Sequence, residues 1–290
     1  MTFSILGHDP QSGETGIAVQ SKFPGVGGIA MHGRVEAGVI STQAFANPDH
    51  GSRGLDLLAL EASAEQVLDI LLNDDSNANE RQLAVMDRNG AYRAHTGKAV
   101  LGWDGWAGYR GGTDCLAHGN SLTSEAVVER MVATFELAQG DLATRLIEGL
   151  RAGQAAGGEI RGQQSAAILV LKDGGGYGGR GGRHVDISIY DHKTPIEELW
   201  RCYGLHRLSY FPSDQANLIE IDTGLANELR AMLVTRGFLK APDAGPWNSA
   251  DIIAMQRFMG TENYDNRIRD DALIDTEVLA DIRKKHNADV

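Results

Sequence analysis

A period of two in the placement of apolar residues marks much of the amino-terminal part of the chain. The run 165–171 is the most informative. Ser165, Ala167, Leu169 and Leu171 share one face, and Ala166, Ile168 and Val170 the other. Both faces are small or apolar, whereas an ordinary antiparallel sheet wets one face. The run is therefore expected to be a strand covered on both sides, joined through a glycine-dense turn to a second strand over 184–190. Further strands are predicted over 2–8, 15–21, 25–31 and 38–45. In the last, Val39, Ser41, Gln43 and Phe45 lie on one face. A hairpin over 81–87 and 91–96 turns at Asn89-Gly90, the strongest short turn signal.

Between these strand sets the period changes to that of helices. Leu55, Leu58 and Ala62 fit one helix. Ser63 with Gln66 forms a capping box for another, which buries Val67, Ile70 and Leu71. Val128, Met131, Val132 and Phe135 form a third stripe, and Ala143, Leu146, Ile147 and Leu150 a fourth. Thr194-Pro-Ile-Glu197 opens a helix burying Ile196, Leu199, Trp200 and Tyr203. The segment 97–119 reads as irregular; a loop of that length is more often functional than idle.

Hairpins dominate, so the sheets should be antiparallel, with helix pairs covering them. A strand apolar on both faces then needs a second sheet behind it. The fold class expected is α+β: a four-layer αββα sandwich of two antiparallel sheets over residues 1–210, followed by a small, mainly helical carboxy-terminal domain over 214–290. In the tail, Leu225, Leu229, Met232 and Leu233 suggest a helix stopped by Gly237, with others around Met255 and Leu279.

Charge narrows the partners. The 290 residues carry 27 basic and 39 acidic side chains, a net −12, which argues against nucleic acid. No run approaches the ~20 apolar residues of a membrane span. Two widely separated cysteines and a start without a basic, then apolar, leader point to the cytoplasm.

Several blocks carry a resemblance. They are Met1-Thr-Phe-Ser-Ile5, Ser41-Thr-Gln-Ala-Phe-Ala-Asn-Pro48 with Gly51-Ser-Arg-Gly-Leu-Asp-Leu-Leu58, and Gly153-Gln-Ala-Ala-Gly-Gly158 with Arg161-Gly-Gln-Gln-Ser-Ala-Ala167 and Gly174–Gly179. Together these resemble the domain of unknown function 1028 family over about residues 1–208. The resemblance implies an N-terminal-nucleophile (Ntn) hydrolase-like fold and no particular activity. Residues 215–285, through Leu229, Gly237-Phe238, Trp247, Gln256-Arg-Phe258 and Ile274-Asp275, resemble a peptidoglycan-binding module. Wall binding conflicts with the lack of an export signal, so a docking or self-association role is the reading preferred, and a homo-oligomer is left open.

If the fold implied is right, Thr2 is the candidate catalytic residue. In Ntn hydrolases the first residue of the mature chain attacks an amide carbonyl, with its own α-amine as base. An α-amine with pKa near ~7.7 is partly neutral at pH 7. Initiator methionine is commonly trimmed before threonine; with Met1 attached, Thr2 has no free amine and merely starts an interior strand. Candidate substrate-binding residues are Gln43, Asn47, Asn120, Arg161, Gln163, Gln164 and Ser165. Amide side chains at the end of a buried strand can fix a substrate carbonyl or satisfy neighbouring backbone. Asn47 reads more readily as a cap before Pro48, and Arg161 binds either a carboxylate ligand or Glu159. Lys22 reads as a solvated charge and Cys115 as an interior thiol. The glycine run 174–182 lacks a Gly-Lys-Ser/Thr ending and joins strand to strand, so it is no phosphate loop. No three ligands have metal-site spacing, and no metal or cofactor is expected. The function expected is hydrolysis of an amide in a small molecule or peptide, or else non-catalytic binding of such a ligand or of a partner.

Overall fold

The structure, a computed structural model, describes residues 1–241 and 244–288, with side chains in the last helix through Lys285. Residues 289 and 290 of the expected tail lie outside the described residues. The chain divides into two compact units, Met1–Cys202 and Tyr203–Val290.

The first unit runs β1 (Thr2–Asp9), β2 (Glu14–Ser21), a single turn α1 (Gly27–Ala30), β3 (Met31–Arg34) and β4 (Gly38–Ala44). Next come α2 (Asp49–Ala59), α3 (Ala64–Asn73), β5 (Arg81–Asp87), β6 (Tyr92–Thr96), β7 (Trp106–Gly112) and β8 (Cys115–Leu122). Then follow α4 (Ala126–Leu137), α5 (Leu142–Ala155), β9 (Ser165–Leu171), β10 (Arg183–Ile189) and α6 (Pro195–Tyr210), within which the unit boundary falls. One sheet has the order β10-β9-β2-β1-β8-β7 and the other β3-β4-β5-β6; every pairing is antiparallel.

Three apolar interfaces make four layers. Leu6, Ile17, Leu116 and Leu169 of the larger sheet meet Val39, Ala84 and Met86 of the smaller one. On the outer side of the smaller sheet, Ile40, Leu83 and Val85 pack with Leu55 and Leu58 of α2 and Val67 and Leu71 of α3. On the outer side of the larger sheet, α4 and α5 lie so close that a Cβ on Gly7 would stand 2.7 Å from the Phe135 ring. This is the αββα sandwich that the strand alternation predicted. β9 is buried along its whole length, as its two apolar faces required. The capping box of Ser63 and Gln66 opens α3 as read.

Two stretches differ from the pattern. Residues 25–30 are a turn and α1, and strand begins only at Met31: Gly27 sits against β9, where a Cβ would come 2.5 Å from that of Ala167. Residues 97–119 are largely the hairpin of β7 and β8. Glycines 108, 111 and 112 dilute the alternation of β7. In β8, the inward positions include the polar His118 and Asn120, which disguise a fully buried strand.

The second unit contains β11 (Leu218–Glu220), α7 (Thr223–Thr235), α8 (Ser249–Thr261), β12 (Leu273–Asp275) and α9 (Thr276–Ala288). The two short strands pair antiparallel. Leu229, Leu233, Phe258, Tyr264, Val278 and Ile282 are among its core residues. Gly237, at φ +79°, follows the end of α7, the left-handed stop that glycine adopts without a Cβ penalty. Among the described residues no helix is long and apolar enough to cross a membrane.

Candidate functional site

The seam between the two sheets changes character along its length. At one end it is the apolar contact of Leu6, Ile17 and Met86. Toward the other end the same inward positions turn polar. Register explains this: Asn120 of β8 pairs with Thr2 of β1, Thr2 with Ser21 of β2, and Ser21 with Ser165 of β9. Residues directly opposite in a sheet share a face, so four polar side chains form one transverse row. Gln43 of β4 and Gln82 of β5, also paired, face them from the other sheet.

These groups are buried and bonded to one another. Ser4 Oγ donates to Gln43 Oε1 at 2.7 Å. Gln43 Nε2 and Asn120 Nδ2 each donate to Gln82 Oε1 at 2.8 Å, and Gln82 Nε2 donates to the Gly119 carbonyl at 2.8 Å. Gln82 thus ties three strands from the two sheets together and fixes Gln43 beneath Thr2, whose carbonyl Gln43 Nε2 also approaches at 3.4 Å.

Where this polar end reaches the surface, a cleft of about 290 Å³ opens. Its floor is Thr2, Ser21, Thr42 and Gln43; its walls include Phe23, Val26, Ile29 and Phe45; Met1 and Arg161 complete it. Thr2 Oγ1 donates to Ser21 Oγ at 3.0 Å, and Ser21 Oγ donates to the Met1 carbonyl at 2.7 Å. That carbonyl has a second donor, Arg161 Nη2, at 3.2 Å. Arg161 Nε donates to Glu159, whose other carboxylate oxygen accepts the Lys22 backbone N–H at 2.8 Å. Ala44, at the rim, and Ser121, beside Asn120, both have positive φ, +65° and +51°. Backbone held in this region by non-glycine residues costs of order ~1 kcal/mol and clusters at functional sites.

Burial shapes the charges. It brings the Met1 ammonium down to about 6, with Glu159 opposing the shift and Arg161 adding to it. It raises the Glu159 carboxyl, against the pull of Arg161 and the Lys22 N–H. Burial also pushes the Cys115 thiol up to about 12, so that sulfur is no thiolate near neutral pH. Among the described residues no group of three His, Cys, Asp or Glu side chains is placed to hold a metal ion.

The structure brings three of the sequence candidates to the cleft: Thr2, Gln43 and Arg161. Asn120 lies behind them on Gln82, with its Oδ1 buried and unpartnered. Ser165 donates to the Phe23 carbonyl and accepts the Val26 N–H, so it holds the loop that forms one wall. Asn47 accepts the Asp49 N–H at the start of α2. Gln164 turns to Asp191, and Gln163 offers its carbonyl to Lys22 Nζ. Ser21 and Gln82 were not among the candidates. Each stands at one end of an apolar alternation, Ser21 closing Ile17-Val19-Ser21 and Gln82 opening Gln82-Ala84-Met86, with a polar residue on the inward face. Gln43 was singled out by a related signal, an amide side chain at the end of a buried strand.

His118 crosses the seam, its Nε2 2.9 Å from Ser41 Oγ, and burial lowers its pKa to about 3. It is therefore neutral in the fold, while in the unfolded chain it titrates near ~6.5. As pH falls from that value toward 3, the unfolded state takes up a proton that the native state refuses. Stability present above pH ~6.5 is then lost at up to ~1.4 kcal/mol per pH unit. Urea melts of the intact chain are expected to show this loss between pH 7 and 5, and His118→Gln to lessen it. The same pH slope in both proteins would refute the assignment.

Comparisons with known proteins follow the division of the chain. Residues 2–199 match the family model described as "Family of unknown function (DUF1028)". Residues 212–281 match the model "Putative peptidoglycan binding domain". The crystal structure of protein SPO2555 from Silicibacter pomeroyi, assigned to the first of these families, is 30% identical, with a TM-score of 0.64 over 71% of this chain and 89% of that one. No curated protein matches.

Proposed function

Because this chain belongs to DUF1028, a family of unknown function whose membership brings no activity with it, we propose a function from the cleft itself: hydrolysis of an amide bond by Thr2 once the Met1–Thr2 bond has been cleaved. The observation behind this reading is the pair of donors on the Met1 carbonyl, Ser21 Oγ and Arg161 Nη2, directly beside the Thr2 hydroxyl. Removal of Met1 frees both donors and leaves Thr2 with an α-amine in a corner where burial already favours a neutral amine. Thr2 Oγ1 then attacks the substrate carbonyl carbon and gives its proton to that amine. The freed donors hold the oxyanion, and Gln43 fixes the backbone of Thr2 from below. The amine returns the proton to the leaving nitrogen. Water, deprotonated by the same amine, releases the acid from the Thr2 ester.

The substrate is a small molecule or short peptide, and the compartment the cytoplasm, in keeping with two free cysteines, one of them buried. The test compares protein retaining Met1 with protein beginning at Thr2 on a panel of amides. Turnover by the Thr2 form alone is expected; equal turnover by both would remove the terminal amine from the mechanism. A second reading holds wherever Met1 stays attached, since its carbonyl occupies both donors and Thr2 has no free amine. In that case the cleft binds a ligand without chemistry. A native-host protein that retains Met1 and binds saturably without product would establish it.

A further inference from the structure

We infer that the group seated in this cleft is an unbranched aliphatic acyl chain, and that Phe23 and Phe45 select it. The inference rests on the amide-hydrolase reading for the position of the reacting carbonyl, and adds the class of substrate. Three observations carry it. First, the polar groups are those of the floor and Arg161, while the walls include Phe23, Val26, Ile29, Ala30 and Phe45. The charged side chain in the lining, Arg161, is paired through Nε with the buried Glu159 and keeps its other donor at the reacting carbonyl, so the apolar walls offer no charge to an ionic acyl group.

Second, the two phenylalanines are large apolar side chains left 50% and 64% exposed at the mouth, yet their backbones are fixed. Ser165 Oγ holds the Phe23 carbonyl and Arg81 holds that of Phe45. Burying such rings against an apolar ligand is favourable in proportion to area, and walls already in place lose little entropy on binding.

Third, the residue that precedes Thr2 is itself part of this cleft. Met1 is the acyl part of the Met1–Thr2 amide, its side chain is unbranched, and it is among the residues that line the cleft. An acyl group carried on Thr2 Oγ1 starts one short step away, with the same walls beside it. The cleft, about 290 Å³, is near the lower end of small-molecule sites, ~300–1,000 Å³. It suits a chain of short to medium length.

The test has a catalytic arm and a binding arm. Protein beginning at Thr2 is assayed with acetyl, butyryl, hexanoyl, octanoyl and glutaryl p-nitroanilides. The expected result is a rise in kcat/KM of about fourfold per added methylene, the equivalent of ~0.8 kcal/mol, until the cleft is filled. Glutaryl, which puts a carboxylate where hydrocarbon should lie, is expected to fall at least ~tenfold below butyryl. In the second arm, the Thr2→Ala form is titrated with butanamide, hexanamide and octanamide by calorimetry. Phe23→Ala and Phe45→Ala in that background should each weaken octanamide at least ~fivefold; both side chains are exposed enough for the fold to persist, which thermal melts would verify. Chain-length-dependent binding without turnover would sink the hydrolase reading and leave this inference standing. Turnover or binding indifferent to chain length, or a preference for glutaryl, would overturn it.

Discussion

Thr2→Ala in protein that begins at residue 2 is expected to reduce amide turnover by about 10⁴, or ~5 kcal/mol of barrier. The size follows from what the change removes and what it leaves. Thr2 sits nearly closed off in the fold, 5% exposed, so no solvent hydroxyl replaces its oxygen in the same geometry. Its Oγ1 is already oriented by Ser21, and Ser21 and Arg161 supply the donors for a carbonyl. Alanine keeps the α-amine, those donors and the Gln43–Gln82 platform. Residual activity should therefore come only from positioning and polarisation, as in other hydrolases stripped of a nucleophile. Thr2→Ser restores an oxygen at the same atom and should retain most of the rate. Steady-state kinetics on one anilide for the three proteins is the measurement. A Thr2→Ala rate within tenfold of the parent would exclude Thr2 as nucleophile, and the hydroxyl of Ser21 would be the next to examine.

The second large effect belongs to the other unit. Arg230→Met is expected to destabilise it by about 3–5 kcal/mol, the cost of stripping the partner from a buried charge. Arg230 is fully buried and forks onto Asp251, Nε to Oδ1 at 3.0 Å and Nη2 to Oδ2 at 2.6 Å. It also donates to the carbonyls of Gly245 and Pro246 at 2.9 and 2.8 Å, and so carries the approach to α8. Asp251 in turn accepts the Asn248 N–H that closes the capping box of that helix. Burial works to raise the Asp251 carboxyl, but Arg230 and the Asn248 N–H hold it below the usual range. Its contribution to stability is therefore present above the unfolded carboxylate pKa, near ~3.9, and lost as pH falls below it. Small units have only about 5–10 kcal/mol in total, so the variant should open locally in the full chain. Hydrogen exchange at the amides of α7 and α8 would show protection falling about a hundredfold or more, as a loss of this size requires. Arg230→Met with Asp251→Leu removes both charges and should recover most of the protection. Equal exchange in parent and single variant would mean that the pair does not hold the helix.

The linear chain determined a good deal here. Two apolar faces on 165–171 demand cover on both sides, and helix pairs between hairpins leave a stacked pair of sheets as the compact solution. The capping box at Ser63, the turn at Asn89-Gly90 and the stop at Gly237 depend on neighbours within a few residues, so they survive in the sequence. Gln43 and Arg161 were legible for a similar reason: an amide side chain at the end of a buried strand, and an arginine close to an acid. What only the tertiary structure decided is the meeting of Asn120, Thr2, Ser21 and Ser165 in one row, because strand register fixes it across more than a hundred residues of chain. Gln82 as the tie beneath Thr2 is of the same kind. So is the turn at 25–30, where contact with Ala167, not local pattern, forbids a side chain on Gly27. Local preference is written residue by residue, whereas a site between two sheets exists only where their inward faces come together.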